Sequence, residues 1–363
     1  MSRPVRARID LAALRGNFAV ARRHAAGAKL WAVVKAEAYG HGLMRVATAL
    51  EDVADGYALI ELAGAIALRE AGLRQPILML EGFYAAEELP LFAEYDLTPV
   101  LHHPEQVRQF VDAALPVRLP VYLKLNTGMN RLGLGREDFR SALATLAATG
   151  VASEITVMSH FADADDPLGI DFQMQRLAGF TAGLALPRSL ANSAALLRFP
   201  ETAADWARPG IMLYGGSPFP EIGAADLGLA PVMSLESELI GVQELQAGDR
   251  VGYGGTFTAE RPMRVGIVAC GYADGYPRHA PTGTPVLVGR RRTRTLGRVS
   301  MDKICVDLAD APDATVGTPV LLWGRNQGGR LDADAVAAAA GTVSYELFCA
   351  LAPRVPVTME DGA

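Results

Sequence analysis

Residues 30–42 read LWAVVKAEAYGHG, an apolar run that leads directly into Lys35 and a glycine-broken turn of small residues. Such a run is typical of a buried strand. Amphipathic segments of helical length separate it from seven similar runs. These are GYALIE (56–61), PILML (76–80), LTPVL (97–101), PVYLKL (120–125), EITVM (154–158), RSLANS (188–193) and RPGIMLY (208–214). Eight strands alternating with helices favour a closed (β/α)8 barrel over an open doubly wound sheet.

The pattern changes after residue 228 to segments with apolar residues at alternate positions, separated by glycine and proline turns. The segments are MSLESELIGVQEL (233–245), RVGIVACGY (264–272), TPVLVG (284–289), SMDKICVDL (300–308) and TPVLLWG (318–324). This period is typical of strands. One helical stretch, LDADAVAAAAG, precedes the strand-like PRVPVTM. The sequence therefore predicts an α/β protein with a barrel domain over residues 1–228 and a mostly-β domain over residues 229–363.

Composition narrows the classes of function. The formal net charge is −6, which gives no general attraction for nucleic acid, although a local basic patch lies at residues 290–294. The start, MSRPVRARID, has no apolar stretch behind its positive charges, and no long apolar window follows. We therefore expect a cytoplasmic protein without a membrane contact. The cysteines, Cys270, Cys305 and Cys349, are widely spaced and are expected to be reduced core thiols.

Lys35 is the most informative single residue. It is expected at the carboxyl end of a barrel strand, the end at which barrel enzymes place their catalytic groups. A lysine that leaves an apolar strand can be desolvated enough to lose its proton and attack a carbonyl, which is the requirement for a Schiff base. Taken alone, such a lysine is more commonly one whose stem covers the barrel while its ammonium reaches water.

Other polar groups lie within the predicted strands or just after them, and they shift the interpretation towards a site. They are Lys124, Arg131, His160, Asn192, Ser193 and Arg208 with Gly210 and Ile211. Burying so many polar groups at one face is costly in a barrel that only provides structure. Backbone amides near Gly210, with the Ser193 hydroxyl, are similar to the phosphate grip that barrels form late in the strand order. A cofactor with a phosphate and a carbonyl, bound through lysine, indicates pyridoxal 5'-phosphate.

The β-rich half adds Tyr253, Tyr272, Met301 and Asp302, which lie in glycine-containing turns. Each tyrosine read singly is more often a core or rim residue. Motifs of several common enzyme classes are missing from the sequence: GxxxxGK[ST], GxSxG, HExxH and CxxC. No metal site is predicted, and GYGGT at 252–256 lacks the strand and helix that a dinucleotide fingerprint requires.

Nine ordered segments together resemble the alanine racemase family of bacteria, over essentially the whole chain. They are AVVKAEAYGHG, LKLNTGMNRLG, SHFADAD, ANSA, RPGIMLYG, VGYGGTF, GYADGYPR, GRVSMD and VSYEL. The resemblance implies interconversion of L-alanine and D-alanine with pyridoxal 5'-phosphate, for cell-wall peptide. Lys35 would hold the cofactor as an internal aldimine and act as the base for D-alanine, and Tyr253 would be the base for L-alanine.

The resemblance also implies the supporting roles. Arg208 would face the pyridine nitrogen, and Arg131 would lie near the phenolic oxygen and the substrate carboxylate. The backbone N–H of Met301 would bind that carboxylate as well. His160 would join a polar relay near Tyr253. The remaining cofactor contacts would come from Tyr39, Asn192, Ser193, Gly210, Ile211 and Tyr345, and the supporting residues would be Lys124, Tyr272, Arg278 and Asp302.

The family forms a homodimer in which the β-rich domain of one subunit covers the barrel mouth of the other. This chain departs from many relatives at Asn126, where they have aspartate, and at Ser300, where they have cysteine. In some relatives the lysine matching Lys124 is carbamylated, and Asn126 argues against that modification here. Two alternatives stay open: a racemase acting on serine, lysine or arginine, and a carrier of the cofactor without catalysis.

Overall fold

A computed structural model describes residues 3–360. Its contacts group the chain into two compact units. The first, the barrel unit, comprises residues 18–38 and 42–213. The second, the β unit, comprises the residues up to 17, residues 39–41 and the residues from 214 onward. The division of the domains between residues 228 and 229 stays a prediction. Within residues 3–360, no helix is both long and apolar enough to span a membrane.

The chain opens with strand β1 (Arg6–Asp10) and helix α1 (Leu11–His24), and eight parallel strands then close into a barrel in chain order. This confirms the predicted (β/α)8 architecture. The barrel strands are β2 (Lys29–Val33), β3 (Gly56–Leu59), β4 (Ile77–Met79), β5 (Leu97–Leu101), β6 (Leu119–Lys124), β7 (Ala152–Met158), β8 (Arg188–Ser189) and β9 (Trp206–Ala207). The barrel closes where Lys29 of β2 pairs with Trp206 of β9.

Helices and short helical turns connect the barrel strands. The helices are α2 (Lys35–Tyr39), α3 (Leu43–Ala49), α4 (Leu62–Glu70), α5 (Leu89–Glu94), α6 (Pro104–Asp112), α7 (Arg136–Thr149), α8 (Asp171–Phe180) and α9 (Ser193–Arg198), with 3-10 turns at Ala86–Glu88, Pro200–Thr202 and Ile211–Tyr214. Every residue of β3 and β5 is buried, because a parallel barrel covers both faces of each strand. Their runs are therefore apolar throughout instead of alternating.

Aromatic rings fill part of the barrel interior. Trp31 stacks on Trp206 with ring centroids 4.1 Å apart, and its Nε1–H donates to the Tyr122 hydroxyl at 3.2 Å. Gly56 makes room for this packing, because a Cβ there would lie 2.3 Å from the Trp31 ring. Trp31 pairs with Gly56 across β2 and β3, so the indole occupies the space that a side chain at residue 56 would take.

The eighth predicted strand was placed wrongly. Residues 208–214 were expected to form it, whereas the strand is Trp206–Ala207 and Ile211–Tyr214 is a 3-10 turn. Pro209 has no N–H to donate to a neighbouring strand, so the ladder ends as the chain reaches it. The seventh run is also shorter than predicted: β8 is Arg188–Ser189, and Asn192 begins the turn into α9.

The β unit contains a nine-stranded sheet and a small two-stranded sheet, which agrees with the predicted mostly-β domain. Its further strands are β10 (Met233–Leu245), β11 (Arg250–Val251), β12 (Phe257–Thr258), β13 (Met263–Val268), β14 (Pro285–Val288), β15 (Arg291–Leu296), β16 (Ile304–Asp307), β17 (Pro319–Asn326), β18 (Gly329–Leu331) and β19 (Val357–Glu360). Its helices are α10 (Ala333–Ala339) and α11 (Ser344–Cys349), and 3-10 turns lie at Tyr253–Gly255 and Tyr272–Asp274.

Three features of this unit add to the sequence analysis or correct it. β1 was not predicted as a strand, yet it lies between β10 and β19 in the large sheet. The basic patch at residues 290–294 falls largely within β15, whose Arg294 pairs with Asp307 at 3.1 Å. Of the three cysteines expected in the core, Cys270 is buried, Cys305 is half-buried and Cys349 is exposed at the end of α11; among the described residues none of them forms a disulfide.

Candidate active site

The candidate site of the barrel unit lies at the carboxyl ends of its strands. Lys35 comes two residues after β2, and Lys124 is the last residue of β6. His160 comes two residues after β7, and Arg208 directly follows β9. Because all eight strands are parallel, these ends meet at one mouth of the barrel. The structure thus brings together four of the predicted side chains on four different strands.

The turn that carries Lys35 has an uncommon backbone. Ala36, Glu37 and Ala38 have φ of 52°, 53° and 52°, so the turn winds left-handed. Side chains with a Cβ pay roughly 1–2 kcal/mol per residue for this conformation, and such strain is held only where the surroundings determine it. Here the N–H of Ala36 donates to the Glu61 carboxylate at 3.1 Å, and the N–H of Leu43 donates to the Glu37 carboxylate at 3.2 Å.

Sequence reasoning missed Glu37 and Glu61. Glu37 lies within the quoted segment AVVKAEAYGHG, but nothing in the sequence marks either carboxylate as an acceptor, and that role appears only because the chain turns left-handed after Lys35. The run of small residues, AEA, was the one local signal for this turn. The left-handed turn directly after Lys35 sets the direction in which the chain continues from β2.

Positive charge dominates the barrel mouth. Lys124 is buried, and its pKa is lowered to about 8, first by burial and then by the charges of Arg208 and Arg131. Burial and the same cations hold the pKa of His160 well below its usual value, so its imidazole is neutral near pH 7. Glu81 is the acid that raises the pKa of Lys124 in this cluster. A mouth in which several cations lie close enough to lower the pKa values of Lys124 and His160 suits an anionic ligand.

Arg208 is held rigidly at the end of β9. Its guanidinium donates to the Ser189 hydroxyl at 2.6 Å and to the backbone carbonyls of Ser159 and Leu190 at 2.6 and 3.1 Å. Burial lowers the pKa of Arg208 to about 10, which still leaves the group charged near pH 7. These contacts use three of the five N–H donors of a guanidinium, so two remain for a further acceptor.

Residues 192–212 gather hydrogen-bonding groups around one buried hydroxyl. The Ser193 hydroxyl accepts the N–H of Gly210 at 2.9 Å and that of Met212 at 3.4 Å. Asn192 caps α9, because its side-chain oxygen accepts the N–H of Ala195 at 2.9 Å. Ile211, next along the chain, is buried. The two amides and the hydroxyl therefore converge on one point, which is the arrangement that binds a phosphate or another anion.

The loop that carries Arg131 is closed by Asn126. Its side-chain oxygen accepts the N–H groups of Gly128 and Asn130 at 3.2 and 3.0 Å, and its amide donates to the Asn130 side chain at 3.1 Å. Arg131 itself is exposed. The Asn126 side chain therefore organises the loop through hydrogen bonds of its own.

Gln173 is a buried polar residue that sequence reasoning also missed. Its amide donates to the Thr127 hydroxyl at 3.1 Å and to the backbone carbonyl of His160 at 3.0 Å, and its oxygen accepts the N–H of Ala162 at 2.7 Å. The Thr127 hydroxyl in turn contacts that of Ser159 at 2.7 Å. This network fixes the chain around His160. In the sequence Gln173 lies in an ordinary amphipathic helix, which gives no signal for it.

The remaining predicted residues belong to the β unit. Tyr253 is 73% exposed on a turn in which Gly252 and Gly254 have positive φ, and Met301 is 52% exposed. Tyr272 and Arg278 are exposed as well. The N–H of Tyr272 donates to the carbonyl of Ser300 at 3.1 Å, which joins the turns that carry Tyr272 and Met301. Asp302 accepts a hydrogen bond from Arg354 at 2.6 Å.

Tyr39 and Tyr345 also lie in the β unit and form an aromatic group with Tyr214. The ring of Tyr39 stacks on that of Tyr214 with centroids 4.7 Å apart, and the Tyr345 ring lies 6.0 Å from Tyr39. Tyr39 is buried, and burial raises its pKa. Its phenol is therefore a donor near neutral pH and is not ionised.

These features define a class: an α/β-barrel enzyme with an amine and several cations at the strand ends, joined to a mostly-β domain. Residues 9–218 match the family described as "Alanine racemase, N-terminal domain", and residues 232–359 match "Alanine racemase, C-terminal domain". Among the 358 residues that the structure describes, no group of three or more His, Cys, Asp or Glu is placed to hold a metal ion.

Individual relatives agree over the whole chain. The alanine racemase of Nitrosospira multiformis is 55% identical, covering 98% of this chain and 99% of the relative. The catabolic alanine racemase of Salmonella typhimurium is 52% identical, with the same coverage. The solved biosynthetic alanine racemase of Pseudomonas aeruginosa is 48% identical and superposes with a TM-score of 0.95, covering 99% of this chain and all of that one. The chain belongs to the alanine racemase family.

Proposed function

We propose that this protein interconverts L-alanine and D-alanine with pyridoxal 5'-phosphate as cofactor, and that it supplies D-alanine for peptidoglycan. Family membership over both domains is the observation that carries the proposal. We further propose that it acts in the cytoplasm as a homodimer. As the resemblance implies, the site would then combine Lys35 of one subunit with Tyr253 of the other.

The barrel mouth fits the proposed cofactor. The phosphate and the phenolic oxygen of pyridoxal 5'-phosphate are anionic, and the cations at the mouth are poorly balanced by nearby acid. A phosphate oxygen can replace the Ser193 hydroxyl as the acceptor for the amide of Gly210. The amide of Ile211 and the phenols of Tyr39 and Tyr345 would complete its donors, with Asn192 fixing the start of α9.

Bound cofactor would supply an aldehyde that links to amines and a ring that withdraws electrons from the substrate α-carbon. Arg208 can donate a hydrogen bond to the ring nitrogen and keep its own proton, because its pKa of about 10 lies well above neutrality. The ring nitrogen then stays unprotonated. Arg208 would therefore limit how strongly the ring withdraws electrons, which suppresses side reactions.

Inversion of a carbon requires a proton to leave one face and another to arrive on the opposite face. The amine of Lys35 would exchange the proton on the D-alanine side, and the phenol of Tyr253 would exchange it on the L-alanine side. The large exposure of Tyr253 supports a role outside its own unit, since a glycine turn presents the ring to the surroundings. His160, neutral at pH 7, would take part in the proton relay, with Tyr272 and Arg278 beside it.

The substrate carboxylate would bind Arg131 and the backbone N–H of Met301. A charge-assisted hydrogen bond from a guanidinium is the strongest grip available for so small a substrate. Asp302 would support the Met301 turn through its bond to Arg354. Lys124, at the end of β6, would serve the anionic cofactor as a further nearby cation.

Racemisation by purified protein, followed by optical rotation from either enantiomer, tests the proposal. Lys35→Ala should abolish activity and the visible absorbance of lysine-bound cofactor. Tyr253→Phe should keep the absorbance and lose racemisation. Tyr95→Phe is the control, because Tyr95 precedes β5 and so lies at the amino ends of the strands. Full activity of Tyr253→Phe in both directions would refute the two-base scheme.

Substrate breadth needs a separate measurement. Rates on serine, lysine and arginine should fall far below the rate on alanine. A higher rate on any of them would favour the broader racemase. Cofactor absorbance without turnover on all four amino acids would favour a carrier without catalysis.

A further inference from the structure

One buried carboxylate of the β unit bonds its own turn and two distant segments of the chain. The Asp274 side chain is fully buried and accepts hydrogen bonds from both terminal nitrogens of Arg3 at 2.8 Å and from Nε of Arg354 at 2.8 Å. It also accepts the N–H of Gly271 at 3.0 Å. Four bonds fill the acceptor capacity of a carboxylate. The segments near residues 3 and 354 therefore converge on the turn that carries Asp274, and Arg354 also reaches Asp302.

The charges of this cluster balance. Arg354 bonds Asp274 and Asp302 at once, at 2.8 and 2.6 Å, while Arg3 lies 4.0 Å from Asp302. Burial alone would raise the pKa of Asp274, but the hydrogen bonds from Arg3, Arg354 and the Gly271 N–H bring it below its usual value. The carboxylate is thus charged and fully bonded near pH 7. Neutralising it would leave Arg3 without its charged acceptor and Arg354 with the carboxylate of Asp302 alone.

The cluster contacts two turns that carry predicted site residues, Tyr272 in one and Met301 in the other. The N–H groups of Tyr272 and Ala273 donate to the carbonyls of Ser300 and Met301, at 3.1 and 3.0 Å. Gly271 permits this approach, because a Cβ there would lie 2.3 Å from the Ser300 oxygen. The turns are therefore packed backbone against backbone, and Asp274 holds one of them through the Gly271 N–H.

The segment at residues 350–354 is bonded to the same turn. The N–H of Ala352 donates to the backbone carbonyl of Asp274 at 3.2 Å, and a Cβ at Gly275 would lie 2.4 Å from the carbonyl oxygen of Ala350. Both the side chain and the main chain of Asp274 are thus tied to the segment that carries Arg354. The segment and the two turns therefore form one connected set of contacts.

From this convergence we infer that Asp274 is a positioning residue: through Arg3 and Arg354 it holds the turns at residues 271–275 and 300–302, so that Met301 meets the substrate carboxylate and Tyr272 meets the proton relay. This inference rests on the proposed function. Asp274 is buried and contacts no reacting atom. It acts through the turns. Its loss should therefore weaken the binding of alanine more than it lowers the rate at which bound alanine reacts.

The experiment is Asp274→Asn in the full-length enzyme loaded with cofactor. We expect KM for alanine to rise about tenfold or more in both directions, which is the scale of a lost charge-assisted bond, with a smaller fall in kcat. The visible absorbance of bound cofactor should stay unchanged, because Lys35 lies in the other unit. Hydrogen exchange of the Tyr272 and Ala273 amides should accelerate.

Asp307→Asn is the matched control. Asp307 is a buried carboxylate of the same unit, bonded by Arg294 at 3.1 Å and by the N–H of Ala309 at 3.0 Å, but it lies within β16. This variant should keep the wild-type KM. If Asp274→Asn does not fold, Arg354→Lys replaces it. That variant keeps the charge and loses the fork that spans Asp274 and Asp302, so KM should rise severalfold.

The outcomes separate the two proposals. A folded variant with wild-type KM and wild-type exchange in both turns overturns the positioning role, as does a lowered melting temperature without a change in KM. A wild-type enzyme that does not racemise alanine contradicts the proposed function. In that case hydrogen exchange alone tests whether Asp274 positions the turns. Faster exchange of the Tyr272 and Ala273 amides in Asp274→Asn supports the positioning role, and unchanged exchange overturns it.

Discussion

Replacing Lys124 by methionine is expected to stabilise the protein near neutral pH. The Lys124 side chain is 6% exposed, and its pKa is about 8, lowered first by burial and then by Arg208 and Arg131. Methionine has a similar length and no charge, so it removes the desolvation cost and the repulsion together. The gain in the free energy of unfolding should shrink as the pH rises through the range in which Lys124 loses its proton.

The magnitude follows from proton linkage. A lysine in the unfolded chain titrates near 10.5. Between pH 8 and that value the unfolded chain binds more protons than the folded one, so stability rises with pH across the window. Below pH 8 the folded protein carries the full cost of charged Lys124, about 3 kcal/mol. The wild type should recover this cost as the pH approaches 10.5, and Lys124→Met should show no such recovery.

The assay is urea unfolding of both proteins, freed of bound cofactor, at several pH values from 7 to 10.5. Other titrating groups cancel in the difference between the two free energies of unfolding, provided that the slopes with urea agree. Lys29→Met is the control, because Lys29 is exposed at the start of β2. A difference between wild type and Lys124→Met that stays constant over this pH range would refute the reasoning.

Two other substitutions test the local geometry. Gly271→Ala should destabilise the protein by more than about 2 kcal/mol in thermal or urea unfolding, because its Cβ would lie 2.3 Å from the Ser300 oxygen. Gly179→Ala, in α8 with nothing within 4 Å of the new Cβ, should instead stabilise by about 0.5–1 kcal/mol; equal effects would contradict the argument. Asn192→Ala should cost about 1 kcal/mol through loss of the cap to Ala195, and Asn192→Ser should restore most of it; a neutral alanine variant would show that the cap is not needed.

Local pattern was sufficient to predict the barrel. Seven of the eight predicted runs overlap a barrel strand, because strands buried on both faces must be apolar throughout. The position of Lys35 after β2 followed in the same way, from an apolar run ending at a polar residue and a glycine turn. Alternation of apolar residues after residue 228 likewise predicted the β-rich sheet. Each of these signals lies within a few neighbouring residues.

Such local signals could not predict which distant segments pair with one another. Residues 6–10 pair with β10 and β19, and β2 pairs with Trp206 to close the barrel. Both pairings involve partners far along the chain. The convergence of Arg3 and Arg354 on Asp274, and of Gln173 on the His160 carbonyl, has the same origin. Periodicity reports which face of a segment is buried, whereas the choice of partner depends on the free energy of the whole folded chain, so only the tertiary structure decided it.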